Sequence, residues 1–495
     1  MKKFFLLFAA MVSMSLLTYA ETTVTVTPNS DKYTVQVGDV TLEGVTAITQ
    51  GAVNVIALND ENVQIIVRFT DVNTLVADGN LNGNAFHYAS SAAADFSKQF
   101  QLPNGDFETW TSTTTEPKNW HGFNSASGSL ASMAKGTVAS DTNVRPGTTG
   151  SKSALISSGS VFGIVNNGTM TNGRLFALSM TADNTWNHSE MDQASTDTDK
   201  NGDRFYTQLN AAPDAIKSWI KFSQGTANVN YPYATLSAIA FNGNYYQDPE
   251  PKVGDSYTTG IFNTHTYSES DATSVASRVS AKAQNKTIAV CDWTEMTIPF
   301  DYDTYAGNNA AANAVLITIS TNATPGKGSD GDQVWVDDME LVYNAGVTSI
   351  TATGLDGFSF DAATHDYTLS YEGAPITLSA DNFTVTVDGR AAIVVKNVTD
   401  LGGGNYRIAL AAVSADMVNS SLYTITVTRQ PDDISVMGDV TGEGVVDIDD
   451  VNAVINIILK VKSEDDFPGN PDLDSSGVVD VDDLNSIINI ILSSH

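Results

Sequence analysis

Along most of the chain, short runs in which every second residue is apolar mark half-buried β-strands. Val24 and Val26, then Tyr33, Val35 and Val37, Val40 and Leu42, Val53 and Val55, and Val63, Ile65, Val67 and Phe69 predict a β domain over residues 21–99. Gly38 and Asp39 supply its tight turn. From 100 to 344 the same period marks strands at 216–222, 293–300 and 316–320. Ile216, Ser218, Ile220 and Phe222 fall on one face, leaving Trp219 with Lys217 and Lys221 on the other. Thr294, Met296, Ile298 and Phe300 likewise leave Trp293 beside Glu295. Residues 345–430 predict a smaller sandwich, with a hairpin loop at Gly402, Gly403 and Gly404. Beyond 437 the period changes to three and four residues, first at Val451, Val454, Ile455 and Ile458, then at Leu484, Ile487, Ile488 and Ile491. That is one face of a short helix, twice. The predicted fold class is mainly β and multidomain: β-sandwich or jelly-roll domains followed by a small all-α module with paired loops.

Those two helices each follow the same loop. Asp439, Thr441, Glu443, Gly444, Val445, Asp447 and Asp450 recur as Asp472, Asp474, Ser476, Gly477, Val478, Asp480 and Asp483. Calcium takes six to eight oxygens on a loop that turns sharply at a glycine. Side chains at positions 1, 3, 5, 9 and 12 supply oxygens here, Val445 and Val478 offer backbone carbonyls, and Gly444 and Gly477 make the turn. A solvated acidic turn accounts for one such loop; two copies, each opening a helix, point to two bound calcium ions. Residues 437–493 resemble the type I dockerin module, which closes its loops with Asp as here. The resemblance implies a calcium-dependent tail and a cohesin-like or other protein partner. Cellulosomal dockerins carry small hydroxyl residues at positions 10 and 11, where this chain has Ile448 and Asp449, and Val481 and Asp482. It is therefore more similar to the dockerin-type tails of secreted Bacteroidetes proteins.

The N-terminus changes the picture of where the protein works. Lys2 and Lys3 precede a short apolar run from Phe4 to Leu17, and Thr18 and Ala20 are small. This predicts a signal peptide over 1–20, cleavage after Ala20, and a secreted or cell-surface protein. No other run is apolar enough to span a membrane. A net charge of −32 disfavours nucleic acid and anionic lipid as partners and favours divalent cations. One cysteine, Cys291, excludes an intramolecular disulfide framework.

The region 100–344 opens with Asn104, Gly105, Asp106, Phe107, Glu108 and Trp110, and closes with Trp335, Val336, Asp337, Asp338 and Leu341. These ends resemble those of jelly-roll carbohydrate-binding modules, and the whole span resembles the "putative carbohydrate metabolism domain" family of Bacteroidetes secreted proteins. The resemblance implies adjacent first and last strands, a carbohydrate ligand, and one structural calcium at Glu108, Asp337 and Asp338. Flat aromatic faces suit sugars. Trp219, Trp293, Trp186, Tyr245 and Tyr246 are the candidates, weighed against packing under a loop. No acid–base pair can be named, so no catalytic residue is assigned. His121, His188 and His265 read as structural histidines. Asp197, Asp199, Asn201 and Gly202 match the start of a calcium loop, but Gln208 stands at its closing position, so this is a polar insertion. The 345–430 domain resembles immunoglobulin-like spacers. The expected function is non-catalytic glycan binding with a docking tail. The alternatives are a divergent polysaccharide hydrolase, which would show two facing carboxylates in an aromatic-lined cleft, and a structural surface or adhesion protein.

Overall fold

Strand alternation resolves into several packed sheets in the computed structural model. It describes residues 23–29, 32–38, 40–45, 54–58, 63–71, 73–81, 84–92, 99–111, 116–254, 256–259, 263–266, 268–308, 311–416, 418–430 and 436–493. The expected signal peptide lies outside these residues, as does the side chain of His265. The chain is mainly β, with two α-helices near its C-terminal end. Among the described residues, no helix is long and apolar enough to cross a membrane.

The central region is a sandwich. One sheet has the order Cys291–Pro299, Ala215–Ser223, Gln333–Val342, Ser153–Ser157, Thr137–Asp141. The other has the order Thr169–Thr171, Ala314–Ser320, Ala234–Phe241, Val279–Ile288. Their facing sides form one core, with Ile216, Ile220, Phe222, Val334 and Val336 from the first sheet and Leu236, Ala238, Ile317 and Ile319 from the second. Period-2 alternation is what lets one strand feed this core while showing a different face outward. The opening segment lies against the closing strand. Met339 N donates to Gly105 O at 2.7 Å, and the Gln101 amide bonds the Leu341 backbone in both directions.

Residues 21–99 and 345–430, expected as separate domains, share a sheet. Val24–Asn29, Lys32–Val37 and Val40–Val45 continue directly into Ile393–Gly402, Asn405–Val413, Ser420–Arg429 and Asp366–Tyr371. Leu42 pairs with Val395 and Thr41 with Lys396. The physical reason lies in Asn405–Val413, which is buried almost throughout. Ala409 and Ala411 pack with Val35, Leu42, Ile65 and Phe86, while Ile408, Leu410 and Ala412 pack with Ile350, Phe383 and Val427. A strand apolar on both faces needs cover on both. The N-terminal strands, including the antiparallel Val63–Asp71, Thr74–Leu81 and Asn84–Ser91, supply the second cover.

The tail holds helices Ile448–Ile458 and Val481–Ser493 around a small core of Val440, Val451, Val454, Ile457, Val479 and Ile487.

Candidate functional site

The two tail loops are built alike. Asp439 accepts backbone N–H bonds from Gly442 (2.7 Å), Glu443 (3.1 Å) and Gly444 (2.7 Å). Asp472 accepts from the equivalent Ser476 (3.0 Å) and Gly477 (2.8 Å). At the closing position, Asp450 accepts from Val440 and Thr441 with one oxygen and from Asp447 with the other. Asp483 does the same with Leu473, Asp474 and Asp480. Gly444 and Gly477 both have φ of 84°, the left-handed conformation position 6 requires. Asp450 and Asp483 are fully buried, and Asp439 nearly so. Their partners are amides and one threonine hydroxyl, which fix the carboxylates in place.

Carboxylates converge in each loop. In the second, Asp472, Asp474 and Asp483 bring oxygens within 4.8 Å of one another. In the first, the group is Glu443, Asp447 and Asp449. Asp449 was not among the expected ligands; it enters because it sits at the first helical turn beside Asp447, whose side chain caps its amide. The charge of Asp447, with partial desolvation, holds the Glu443 carboxyl above its usual range, a sign of crowded like charges.

The central region departs further from expectation. Trp219 and Trp293 do point away from the sandwich core, but one extended segment caps them. Asn143 Oδ1 accepts the Trp293 Nε1–H at 3.2 Å. The Arg145 guanidinium lies 5.4 Å from the Trp219 ring centre. Asp141 takes the Nε1–H of a third outer-face tryptophan, Trp335, at 3.3 Å. Alternate side chains of residues 141–145 thus each meet one indole. A 450 Å³ groove remains at the edge of this patch, lined by Trp219, Arg145, Lys217, Glu295, Asp338 and Glu340. Its cations are already paired, Lys217 with Glu340 at 2.5 Å and Arg145 with Asp338.

Tyr246 is not available to a ligand. It is fully buried, stacks on Phe241 at 5.4 Å and donates to Glu250 at 2.9 Å. Trp186 and Tyr245 are half-buried against the same cluster, and the single Tyr245 O–H lies within hydrogen-bond distance of both Glu190 and Gln247. Glu108, Asp337 and Asp338 do not form a shared three-ligand cluster among the described residues. Glu108 is bound by the Ser151 and Lys152 amides and the Ser151 hydroxyl. Asp337 accepts from Arg145 N at 3.0 Å, and Asp338 pairs with the Arg145 side chain.

A cavity of about 520 Å³, which strand alternation alone does not foretell, lies on the outer face of the four-stranded sheet. Along Ala234–Phe241 this face reads Thr235, Ser237, Ile239, Phe241; along Ala314–Ser320 it reads Ala314, Leu316, Thr318, Ser320. The apolar half is covered by the cluster of Met191, Tyr246 and Val279. The hydroxyl half floors the cavity, whose walls include Phe123, Phe176, Leu130 and Ile164. Asp248 and Lys286 also line it. The switch from apolar to hydroxyl along one face was readable in the sequence; the roof was not.

No protein-family model and no curated protein matches the chain. A crystal structure of a "putative glycoside hydrolase" from Bacteroides thetaiotaomicron aligns over 64% of this chain and 98% of its own, at 13% identity and a TM-score of 0.31. The enzymatically active domain of tailspike protein 4 from bacteriophage CBA120 aligns over 48% of this chain and 20% of its own, at 10% identity and a TM-score of 0.19. Neither likeness is close enough to bear on the site.

Proposed function

We propose that this chain is an exported, non-catalytic glycan-binding protein with a calcium-folded, dockerin-like tail. The observation that supports glycan binding is the cavity floored by Thr235, Ser237, Thr318 and Ser320 and walled by Phe123 and Phe176. Sugars offer hydroxyls to polar groups and a C–H face to apolar ones, and binding sites pair the two. Thr235 and Ser320 lie directly opposite each other across the strand pair. The test is a glycan array with the full chain in calcium, beside the double variant Thr235→Val, Ser320→Ala. Binding that falls at least tenfold in the variant, roughly one or more lost hydrogen bonds, supports the reading. Silence across plant, host and microbial glycans favours a structural surface protein instead.

One observation favours a hydrolytic second reading. Asp248 and Asp183 line the same cavity, and burial holds the Asp248 carboxyl above its usual range, as a general acid requires. Release of reducing ends by wild type, abolished in Asp248→Asn, would establish it.

For the tail, the two like-built loops support two calcium ions. Ile448 and Leu459, and their repeat counterparts Val481 and Leu492, are exposed apolar side chains on its helices and ends, and they would form the face that meets a protein partner.

A further inference from the structure

His121 lies in the central region, immediately after Trp120, and is wholly buried. Its Nε2 faces the Arg204 carbonyl oxygen at 3.3 Å. That contact places the ring proton on Nε2 and leaves Nδ1 as a lone pair. Nδ1 is buried and has no hydrogen-bond partner. It faces Asp199 Oδ2 at 3.7 Å, an oxygen that also accepts from Asn201 Nδ2 at 3.2 Å, and the Asp199 side chain is also fully buried. One oxygen of the buried Glu116 completes a group whose ligand atoms lie within 4.8 Å of one another.

A lone pair aimed at a carboxylate is repulsive unless something positive lies between them. A proton fits poorly. The separation exceeds hydrogen-bond length. A metal ion fits better. Two ligand atoms each about 2.1 Å from a tetrahedral metal lie about 3.4 Å apart, close to the 3.7 Å seen.

We propose that Glu116, His121 and Asp199 form a buried structural site for a borderline divalent metal of the zinc class. Imidazole as a ligand favours zinc-type ions, whereas calcium takes six to eight oxygens. The outer partners are those a metal site needs. Asp199 Oδ1 is held by the amides of Asn201 (2.8 Å) and Asp203 (2.9 Å). Glu116 is held by the amides of Gly122 (2.6 Å) and Asn124 (3.0 Å) and the Ser125 hydroxyl (2.7 Å). The ligand side chains are closed from solvent, so the ion pins the 197–204 insertion to the start of the sandwich. The same insertion makes a poor calcium loop because Asp197 turns outward to Arg174 at 3.1 Å while Asp199 turns in.

The test uses the full chain, stripped of metal and then held in millimolar calcium so that the tail loops are saturated. Titration with zinc should show one further equivalent. His121→Gln and Asp199→Asn should each weaken it by more than the roughly 10- to 100-fold that loss of an outer partner costs, while Asp197→Asn leaves it unchanged. If the two ligand variants fail to fold, cobalt added to wild type should shift the His121 ring resonances. No zinc uptake by wild type, uptake unaffected by either ligand variant, or unshifted His121 resonances would overturn the site.

Discussion

Asp337 lies in Gln333–Val342, the strand that closes the central sandwich. It stands directly across from Trp219, where the pairing with Ala215–Ser223 shifts register between Lys217 and Trp219, and it is nearly fully buried. Burial, together with the charge of Asp338, raises its carboxyl from 3.8 to about 6 against the opposing Arg145 amide. The fold therefore prefers the protonated form. The resulting stabilisation is fully present below 3.8 and is lost as pH rises through about 6. Denaturant midpoints across that window should fall with pH in wild type and stay flatter in Asp337→Asn; parallel slopes would contradict this. Gly105 makes the other residue-scale point. A Cβ there would meet Met339 O at 2.2 Å, where the opening segment crosses the closing strand. Gly105→Ala should cost about 1–3 kcal/mol, read as a lower thermal midpoint. Alternation correctly turned Trp219 and Trp293 off the core, because period 2 is local. Their caps, Asn143 and Arg145, come from a distant segment that no local pattern connects to them.

At the scale of elements, the tail was the most legible part, since its loop and helix repeat within one short stretch. Capping is local too: Asp447 and Asp450 form a reciprocal box at the start of the Ile448–Ile458 helix. The helices are short and their shared core is small, so most of their stability must come from packing and from the loops. Ile487 is fully buried at the centre of that core. Ile487→Ala should cost about 2–5 kcal/mol and melt the tail's helical signal well before the β signal. A single unchanged transition would contradict that. Of the cavity sheet, the sequence analysis marks only 316–320; Thr235 and Ser237 lie on a strand it leaves unmarked, and which segment roofs the cavity depends on long-range contacts.

At the scale of the whole molecule, the sequence divided what the fold joins. Residues 24–45 and 393–429 lie in one sheet, because the alanines of Asn405–Val413 need a cover that the 345–430 stretch lacks. Removing residues 21–99 should uncover Val395, Ala409 and Ala411, so that an isolated 345–430 fragment fails to give a cooperative melt. A well-folded fragment would contradict the shared core. The central sandwich is tied to this unit by Asp214, whose oxygens accept from Asn344 N (2.7 Å) and Arg390 N (2.9 Å). The proposed folding of the tail by two calcium ions can be measured on the full chain. Calorimetric titration of calcium into the chelated full chain, followed by circular dichroism, tests this most directly. Wild type should take up two more ions than the double variant Asp439→Ala, Asp472→Ala, and wild type alone should gain helix. Equal uptake by the two proteins, with no change in helical signal, would contradict it.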